Sequence, residues 1–364
     1  MNKSILVAVE DYPGGESEVS HHFVHVRNLY YAEHGLNVIV LSFKAKFDYV
    51  YDGIRVISFK TFKEMQKDFA CLVVHQANLK HHAIFLLKYG RLFSRFVFFF
   101  HGHEVLRINS VYPEPYAFKR SSGYIRKLIQ DIYDTVKLKF WHYYYPAVAS
   151  KSDYVFVSKW MLEQFSKWLK LDLGRLGQQV HVIPNCIAKD FEINKYDNGA
   201  EKLYDFVTVR GNLDTSKYAV DLVISSARSN PDARYLIVGK GTIFDYLEMP
   251  SNITWFEKTS THREIIEYLN ASRCALMPTR TDAQGLMMCE MASFGIPTIT
   301  SDIPVCREVL SSFPNVYFVA NDKFDMNLQE VLEQLAPLEE RNESFFSDRT
   351  IGSEVQLIED CLRK

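Results

Sequence analysis

Short runs of β-branched and aromatic residues alternate along the whole chain with longer amphipathic stretches. This alternation constrains the fold more than any other feature, because it is typical of βα units around a parallel sheet. Predicted strands cover residues 4–9, 37–42, 70–75, 96–101 and 154–158 in the first half, and 205–210, 234–239, 253–256, 274–277 and 298–301 in the second. The sequence therefore predicts an α/β protein with two Rossmann-like, doubly wound domains.

The length of 364 residues fits two domains of ordinary size. The polar segment 194–202 follows a strand and its turn residues, and is a predicted hinge. We expect an N-terminal domain over residues 1–190 and a C-terminal domain over residues 191–350. A C-terminal helix over residues 351–364 is expected to pack back toward the N-terminal domain.

The two halves of the chain carry opposite charge, although the formal net charge is only -2. Residues 1–190 contain 25 Lys and Arg against 17 Asp and Glu, and the remainder contains 17 against 27. Eleven of the twelve histidines also lie in the first 190 residues. The N-terminal half is therefore expected to face an anionic partner. Nucleic acid is not that partner, since no nucleic-acid-binding module is recognisable.

Several sequence features favour a cytoplasmic protein. No stretch reaches the roughly 18 uncharged residues that a membrane-spanning helix needs, and the N-terminus becomes acidic too early for a signal peptide. The six cysteines are scattered without a Cys-x-x-Cys pair. This pattern indicates a reducing compartment and no zinc site.

One loop between a predicted strand and an apolar helix carries most of the chemical information. The loop contains Asp282 and Gly285, and the helix that begins at this glycine carries Glu290. The backbone N–H groups of Gly285, Leu286 and Met287 would point out of the helix start, where phosphate oxygens bind well. The two carboxylates could accept hydrogen bonds from sugar hydroxyls. Two simpler interpretations stay open: Asp282 merely caps the helix, and Glu290 is solvated.

The spacing of Asp282 and Glu290, with the segment that follows, resembles the E-x7-E region of glycosyltransferase family 4. Members of this family are retaining enzymes with the two-domain GT-B fold. Further family motifs occur in family order along nearly the whole chain: Gly14-Gly15, His101-Gly102-x-Glu104, Val157-Ser158 before a helix, Ile183-Pro184-Asn185, Lys217, Gly239-x-Gly241 and Glu308. No one of these motifs is specific to the family, but their occurrence together in family order is specific. The chain is similar to family 4 enzymes of the bacterial surface-polysaccharide type.

The resemblance implies two Rossmann-like domains that face each other across a cleft. A nucleotide-sugar donor of the UDP or GDP type would bind the C-terminal domain, and a lipid-linked or oligosaccharide acceptor the N-terminal one. The implied catalytic residues are His101 near the reacting sugar, Asp282 on the transferred sugar and Glu290 on the donor ribose. The implied donor-binding residues are Gly14, Gly15, Arg210, Lys217, Gly239, Gly241, Gly285, Leu286, Met287 and Glu308. Arg210 and Lys217 would neutralise the departing phosphate charge, so no cofactor and no divalent metal is expected.

Several of these residues also have a simpler interpretation. Gly14-Gly15 and Gly239-Lys240-Gly241 could be plain turns, His101 a satisfied histidine at a strand end, and Glu308 a surface residue. His103 competes with His101 for the catalytic role, and only the family pattern favours His101.

Some positions depart from the family pattern. Asp282 stands where Glu is usual, so its carboxylate reaches one methylene less far. The order Arg210-Gly211 inverts the usual Gly-Arg, which would let Arg210 point into the sheet and leave Lys217 alone on the phosphate. Gln284 replaces an aromatic residue and could reshape donor selection, and Cys186 replaces a glycine.

A basic amphipathic helix is predicted between residues 118 and 141. It could lie on an anionic membrane surface with its apolar face down, or it could pack on its own domain with a solvated basic face. The apolar residues are Ile125, Leu128, Ile129, Ile132, Tyr133 and Val136. The cations assigned to the membrane or acceptor side are Lys119, Arg120, Arg126, Lys127, Lys137 and Lys139.

We therefore predict a cytoplasmic glycosyltransferase of the hexosyltransferase class, peripheral on the inner face of the cell membrane. It would add a sugar, with retention of the anomeric configuration, to a glycan acceptor in surface-polysaccharide biosynthesis. Two other function classes stay open. One is a nucleotide-sugar epimerase or hydrolase on the same fold, and the other is a non-catalytic nucleotide-sugar- or glycan-binding partner of a transferase.

Overall fold

A computed structural model of the chain describes residues 4–14, 21–66, 68–119, 123–177 and 179–363, with the backbone alone at Tyr124. The chain forms two compact units. The first unit comprises Met1–Arg107, Asp131–Asn185 and Ser347–Lys364, and the second comprises Ile108–Gln130 and Cys186–Phe346.

This division differs from the predicted boundaries at residues 190 and 350. The segment Ile108–Gln130 groups with the second unit, although the sequence placed it in the N-terminal domain. Its contacts give the reason: the Tyr116 hydroxyl donates to the Asp221 carboxylate at 2.7 Å, and the Phe118 and Tyr246 rings stack at 4.6 Å. The partners are more than 100 residues apart, so no local pattern could indicate them.

The first half of the chain builds the sheet of the first unit. Its strands are β1 (Ser4–Val9), β2 (Val38–Ser42), β3 (Tyr49–Tyr51), β4 (Ile54–Ile57), β5 (Phe69–His75), β6 (Arg95–Phe100), β7 (Ser152–Phe156) and β8 (Val180–Val182). The helices of this half of the chain are α1 (His22–Glu33), α2 (Phe59–Glu64), α3 (Ile84–Tyr89), α4 (Ile108–Val111), α5 (Gly123–Val148) and α6 (Lys159–Leu169). The strand order is β3-β4-β2-β1-β5-β6-β7-β8, and every pair is parallel except β3 with β4.

The second half builds a six-stranded parallel sheet in the order β11-β10-β9-β12-β13-β14. The strands are β9 (Tyr204–Asn212), β10 (Tyr235–Lys240), β11 (Ile253–Phe256), β12 (Ser272–Met277), β13 (Thr298–Ser301) and β14 (Val316–Val319). The helices are α7 (Lys189–Ile193), α8 (Val220–Ser229), α9 (Ile243–Tyr246), α10 (His262–Asn270), α11 (Leu286–Phe294), α12 (Pro304–Leu310), α13 (Leu328–Gln334) and α14 (Ile351–Arg363). The predicted α/β class with two doubly wound sheets is confirmed.

Local sequence explains several of these elements. The strands β5 and β6 are almost continuously buried, as expected of central parallel strands covered on both faces. Helix α6 begins at Ser158, whose hydroxyl accepts from the N–H of Met161 at 3.0 Å. Helix α10 begins with a capping box formed by Thr261 and Glu264.

In each sheet, the chain adds strands to both sides of one pair of neighbouring parallel strands, and this pair is the topological switch point. In the first sheet this switch lies between β1 and β5, and in the second between β9 and β12. Ligands of doubly wound folds bind outside the carboxyl ends of the strands at such a point. The second switch places Arg210 of β9 beside the loop that follows Met277. The first places His75 at the end of β5, next to β1.

Helix α14 packs within the first unit through a buried ion pair. The Arg27 guanidinium of α1 donates to the Glu354 carboxylate at 3.0 Å, with both side chains fully buried. Glu354 also accepts from the Tyr31 hydroxyl. This contact joins residues 327 positions apart in sequence.

Helix α5 differs in part from the predicted basic surface helix. Lys137 is buried, with Nζ 2.7 Å from the Asp134 carboxylate and 2.7 Å from the His103 carbonyl oxygen. Lys119 lies 2.9 Å from the Asp214 carboxylate. The assignment of Lys137 to a membrane or acceptor surface does not fit this buried position, whereas Lys119 is exposed and its assignment stays a prediction.

The remaining predicted cations have different surroundings. Lys127 is exposed and pairs with Glu114 at 2.6 Å, Arg126 and Lys139 are exposed, and Arg120 lies outside the described residues. The six predicted apolar residues of this helix are all exposed, by 40% to 69%. Each of these side chains therefore keeps a large part of its apolar surface in solvent. In the described part of the chain, no helix is both long and apolar enough to cross a membrane.

Candidate active site

Arg210 is a buried cation at the carboxyl end of β9. Its side chain is 6% exposed, its Nη2 donates to the Pro278 carbonyl oxygen at 2.8 Å, and its guanidinium lies 4.9 Å from the centre of the Tyr218 ring. Among the described residues its Nε has no hydrogen-bond partner and no carboxylate lies within 4.0 Å. Burial lowers the pKa of this group, but an arginine remains charged. The site therefore holds a charge that an anion would compensate.

Lys217 and Asp282 lie together beside this arginine. The Lys217 ammonium donates to the Asp282 carboxylate at 3.3 Å, and the same carboxylate accepts from the N–H of Ala283 at 2.8 Å. Asp282 therefore does not cap α11, which begins four residues later with no side-chain cap from the described residues. Its charge is among the influences on Arg210, which brings both predicted cations and the first predicted acid to one place.

Gly285 begins α11 in a conformation that requires glycine. Its φ is +77°, and a Cβ there would lie 2.0 Å from Cε of Met288. That Cβ position is also 3.8 Å from Oδ2 of Asp282. Because no described side chain caps this helix, its first turn can donate N–H groups to an anion. The half-buried residues Leu286 and Met287 form that turn.

Glu290 lies on the same helix, one and a half turns further on. It is 3% exposed, and its Oε1 accepts from the N–H of Ala188 at 3.1 Å. The simpler interpretation of Glu290 as a solvated helix residue is therefore wrong. Burial raises the pKa of this carboxyl to about 7, so its charge changes near neutral pH.

The two glycines after β10 have a structural reason to be glycine. Gly239 has φ +152°, and a Cβ there would lie 1.9 Å from the backbone oxygen of Arg210. A Cβ on Gly241 would lie 2.8 Å from Oδ1 of Asp214. The glycines therefore let the loop approach the end of β9 that carries Arg210. Glu308 lies half-buried on α12.

Sequence reasoning missed a polar cluster that supports this site. Arg280, just after β12, donates to both carboxylate oxygens of Asp221 at 2.9 and 2.6 Å, and its backbone N–H donates to the Lys217 carbonyl oxygen at 2.9 Å. Asp221 also accepts from the Tyr116 hydroxyl. The Lys217 ammonium lies 5.9 Å from the ring of Tyr112. Tyr112 and Tyr116 come from a segment far away in sequence, so no motif could reveal them.

In the first unit, His101 directly follows β6 and forms a pair with His75. The His101 Nε2 and His75 Nδ1 atoms are 3.0 Å apart. Burial lowers the pKa of both rings well below the usual range, with nearby Arg27 acting in the same direction. Both imidazoles are therefore neutral at pH 7, and one ring donates its single hydrogen to the other. Sequence reasoning missed His75, for which the only signal was the histidine content of this half.

The motif His-Gly-x-Glu has a clear local structure. The buried Glu104 carboxylate accepts from the backbone N–H of His101, which fixes the loop after β6. His103 is exposed and contributes its carbonyl oxygen to Lys137. The ring of His101 instead contacts Phe23 at a centroid distance of 4.6 Å.

Gly14 lies in the turn after β1, and Gly15 lies outside the described residues. Gly14 has φ +81°, and a Cβ there would lie 2.6 Å from the Tyr51 ring, so the turn itself requires glycine. The nearby Glu10 carboxylate accepts from Asn78 at 2.7 Å and pairs with His81 at 2.6 Å. These polar groups line the carboxyl edge of the first sheet.

The match to a protein family lies within the second unit. Residues 190–345 match the family model described as glycosyl transferases group 1. No curated protein sequence matches the chain significantly.

Solved structures similar to the chain include three proteins of known kind. Sucrose-phosphate synthase from Thermosynechococcus elongatus is 13% identical over 99% of this chain and 96% of that chain, with a TM-score of 0.67. HepE from Anabaena, solved in complex with UDP and glucose, is 10% identical over 99% of both chains, with a TM-score of 0.66. WaaG, a glycosyltransferase involved in lipopolysaccharide biosynthesis, is 14% identical over 91% of this chain and 90% of that chain, with a TM-score of 0.60. The protein therefore has the GT-B fold, and its residues 190–345 form a glycosyltransferase domain.

Proposed function

We propose that the protein is a retaining transferase of family 4, which moves a sugar from a nucleotide-sugar donor of the UDP or GDP type. The observation that carries the proposal is the buried guanidinium of Arg210, which has no carboxylate within 4.0 Å among the described residues, beside Lys217 and the start of α11, which no described side chain caps. Three sources of positive potential converge there. A diphosphate matches this arrangement, because it accepts charge-assisted hydrogen bonds from side chains and from helix N–H groups at once.

The other residues of the second unit take the remaining parts of the donor. Glu290 accepts hydrogen bonds from the ribose hydroxyls, and Asp282 from the transferred sugar. The N–H groups of Gly285, Leu286 and Met287 bind the diphosphate. Gly239, Gly241 and Glu308 approach the nucleotide. The complex of HepE with UDP and glucose supports a donor of this class.

Catalysis follows from charge stabilisation and placement. As the bond between the anomeric carbon and the phosphate oxygen breaks, negative charge develops on the leaving diphosphate, and Arg210 and Lys217 stabilise it. That phosphate accepts the proton of the attacking acceptor hydroxyl on the same face, so the anomeric configuration is retained. By the family resemblance, His101 acts near the reacting sugar, and Gly14 and Gly15 belong to the donor-binding residues. A product of inverted configuration would contradict this course.

Two cations in the phosphate site make a divalent metal unnecessary for this chemistry. We expect the rate of sugar transfer to stay the same in the presence of about 5 to 10 mM EDTA, which is a large excess over the protein. A rate that falls with EDTA and returns with Mg²⁺ or Mn²⁺ would contradict this part of the proposal.

The acceptor is a lipid-linked or oligosaccharide glycan in surface-polysaccharide biosynthesis, and the protein is peripheral on the inner face of the cell membrane. The exposed apolar residues of α5 support this location, since they are contiguous on one helix and flanked by the exposed cations Arg126 and Lys139. Such a surface suits an anionic membrane. The link of WaaG to lipopolysaccharide biosynthesis is compatible with this acceptor class.

The test is saturation-transfer NMR of the purified protein with a panel of UDP-, GDP- and dTDP-sugars. We expect selective binding of one donor that is lost in Glu290→Ala and kept in Glu267→Ala, a matched exposed glutamate on α10. Binding must then lead to sugar transfer in a pool of glycan acceptors. Binding without turnover in any pool would favour a non-catalytic partner. Free nucleotide with an altered sugar, and no acceptor, would favour an epimerase or hydrolase.

A further inference from the structure

A cavity of about 500 Å³ lies in the first unit and takes no part in the site described above. Helices α5 and α6 contribute most of its wall. The lining residues are Arg107, Thr135, Leu138, Lys139, His142, Tyr143, Lys167, Trp168, Leu169 and Lys170. Four of these ten side chains are cationic and none is acidic.

The part of the chain that the structure describes supplies no close carboxylate to any of the four cations. Among the described residues, no carboxylate lies within 4.0 Å of Arg107, Lys139, Lys167 or Lys170. Arg107 donates to the Thr135 hydroxyl, and the Lys167 ammonium lies 4.9 Å from the centre of the Trp168 ring. A concave surface with several uncompensated cations attracts a multivalent anion such as a phosphate.

The cavity continues an apolar stripe on the same helix. Ile132, Val136, Lys139 and Tyr143 follow one another at intervals of four, three and four residues, so they share one face of α5. The first two are exposed by 57% and 56%, and Tyr143 by 63%. The exposed hydrocarbon surface therefore runs along the helix directly to two residues that line the cationic cavity.

The aromatic residues of the cavity have the character of interfacial side chains. Tyr143 and the partly exposed Trp168 combine an apolar ring with a polar group, as side chains at membrane interfaces do. The Trp168 indole N–H donates to Gln164 at 2.9 Å. The ring of this residue is therefore held at the cavity by its own helix.

We propose that this cavity binds the phosphate group of an anionic membrane lipid, while the stripe of α5 lies among the acyl chains. The inference deepens the proposed peripheral membrane location and rests on it. A phospholipid supplies both chemistries at once, phosphate for the four cations and hydrocarbon for the stripe. A soluble phosphate compound would occupy the cations but leave the apolar face in water.

The test measures how the full-length protein partitions onto vesicles of phosphatidylcholine with and without roughly 30% phosphatidylglycerol, which gives the vesicle surface a negative charge. Three double variants separate the contributions. The cavity variant is Lys139→Gln with Lys167→Gln, and the stripe variant is Ile132→Ser with Val136→Ser. The matched control, Lys60→Gln with Lys63→Gln on α2, removes the same charge from two exposed lysines.

We expect the cavity variant to bind anionic vesicles about 30-fold more weakly, since each Lys near an anionic surface contributes about fivefold. The control variant should bind like the unchanged protein. Equal binding by the cavity and control variants would overturn the assignment of the cavity. If the unchanged protein does not bind anionic vesicles at all, the membrane location itself fails, and donor binding by NMR tells separately whether the transferase proposal holds.

A second measurement reports on the cavity directly. Lipids brominated on their acyl chains quench tryptophan fluorescence at short range, so anionic vesicles that contain them should quench the protein, and Trp168→Phe should lose most of that quenching. Inorganic phosphate serves as the soluble probe. If phosphate changes Trp168 fluorescence and brominated anionic vesicles do not, the cavity is a site for a soluble anion and the lipid proposal is wrong.

Discussion

Arg210 shows what a strand end does to a single charged residue. The inverted order Arg210-Gly211 left open whether this side chain points into the sheet. In the structure its guanidinium donates to the Pro278 carbonyl oxygen and lies beside the Tyr218 ring, close enough to be influenced by the Asp282 charge. The ladder between β9 and β10 shifts register at this point. Such a shift reorients side chains and depends on the neighbouring strand, which the local sequence does not show.

Replacing Arg210 with Met should separate ligand binding from stability. The free protein loses a buried charge that has no carboxylate partner among the described residues, so its free energy of unfolding should change by less than about 1 kcal/mol. The dissociation constant of UDP, or of the donor found by NMR, should rise by about 10- to 100-fold, since charge-assisted hydrogen bonds contribute about 1.5 to 3 kcal/mol. Calorimetry and denaturant unfolding measure the two quantities.

The control for this variant is Arg263→Met, on the exposed side of α10, which should leave both quantities unchanged. A large loss of stability in Arg210→Met with unchanged nucleotide affinity would mean that the arginine only supports the fold.

The raised pKa of Glu290 predicts how the stability of the protein depends on pH. Folding favours the protonated carboxyl, because burial raises the pKa to about 7 from 4.5 in the unfolded chain. This contribution to stability is fully present below pH 4.5 and is lost as the pH rises through 7. Glu290→Gln should therefore match the unchanged protein in thermal unfolding at pH 4.5 and exceed it at pH 8, by at most about 3 kcal/mol.

Donor affinity should depend on pH in the opposite direction. The ionised carboxylate is the better acceptor for ribose hydroxyls, so donor affinity should rise between pH 6 and pH 8, near the pKa of about 7. Glu290→Gln should bind more weakly and without this dependence. If the pH profile of donor binding is the same in both proteins, Glu290 does not contact the donor.

At the scale of elements, α11 shows how a helix start depends on one backbone conformation. Gly285 has φ +77°, and a Cβ at this position would lie 2.0 Å from Cε of Met288. Gly285→Ala should lower the free energy of unfolding by about 1 to 3 kcal/mol, since a left-handed conformation is strained for residues with a Cβ. It should also weaken nucleotide binding, because the first turn shifts. Gly123→Ala is the control: among the described residues other than its chain neighbours and its own helix backbone, none comes within 4 Å of its Cβ position, and both quantities should stay unchanged.

Helix α5 shows which features of an element its sequence reveals. The helical spacing predicted an apolar face and interleaved cations, and the structure has both. The spacing could not indicate that Lys137 belongs to the buried face with Asp134 and Trp141. A lysine looks the same in sequence whether water or a carboxylate receives its charge, and here a contact from a neighbouring turn decides.

At the scale of the whole molecule, the first unit joins both ends of the sequence through Arg27 and Glu354. Removing one partner leaves the other charge buried without compensation. Glu354→Gln should therefore lower the free energy of unfolding by about 3 to 5 kcal/mol. Arg27→Met combined with Glu354→Leu should recover much of that loss, because apolar side chains can replace a buried pair.

The control for this pair is Glu359→Gln on the exposed side of α14, where a pair with Arg363 should contribute less than about 0.5 kcal/mol. Chemical denaturation of the four proteins measures all of these differences. An unfolding free energy of Glu354→Gln equal to that of the control would show that α14 does not stabilise the first unit.

The sequence by itself determined the α/β class, the positions of most central strands, and the segment that carries Asp282 and Gly285 in a loop and Glu290 on the helix that follows. These follow from local rules: alternation of apolar runs, glycine at a strained backbone position, and acid spacing along one helix. The short strands β3, β4 and β14 carried too weak a signal to be predicted. Tertiary structure alone decided that residues 108–119 belong with the second unit, that His75 pairs with His101, and that Arg210 lies buried away from every described carboxylate. Each of these depends on contacts between distant segments, and burial and pairing of a charge are properties of its surroundings rather than of the residue.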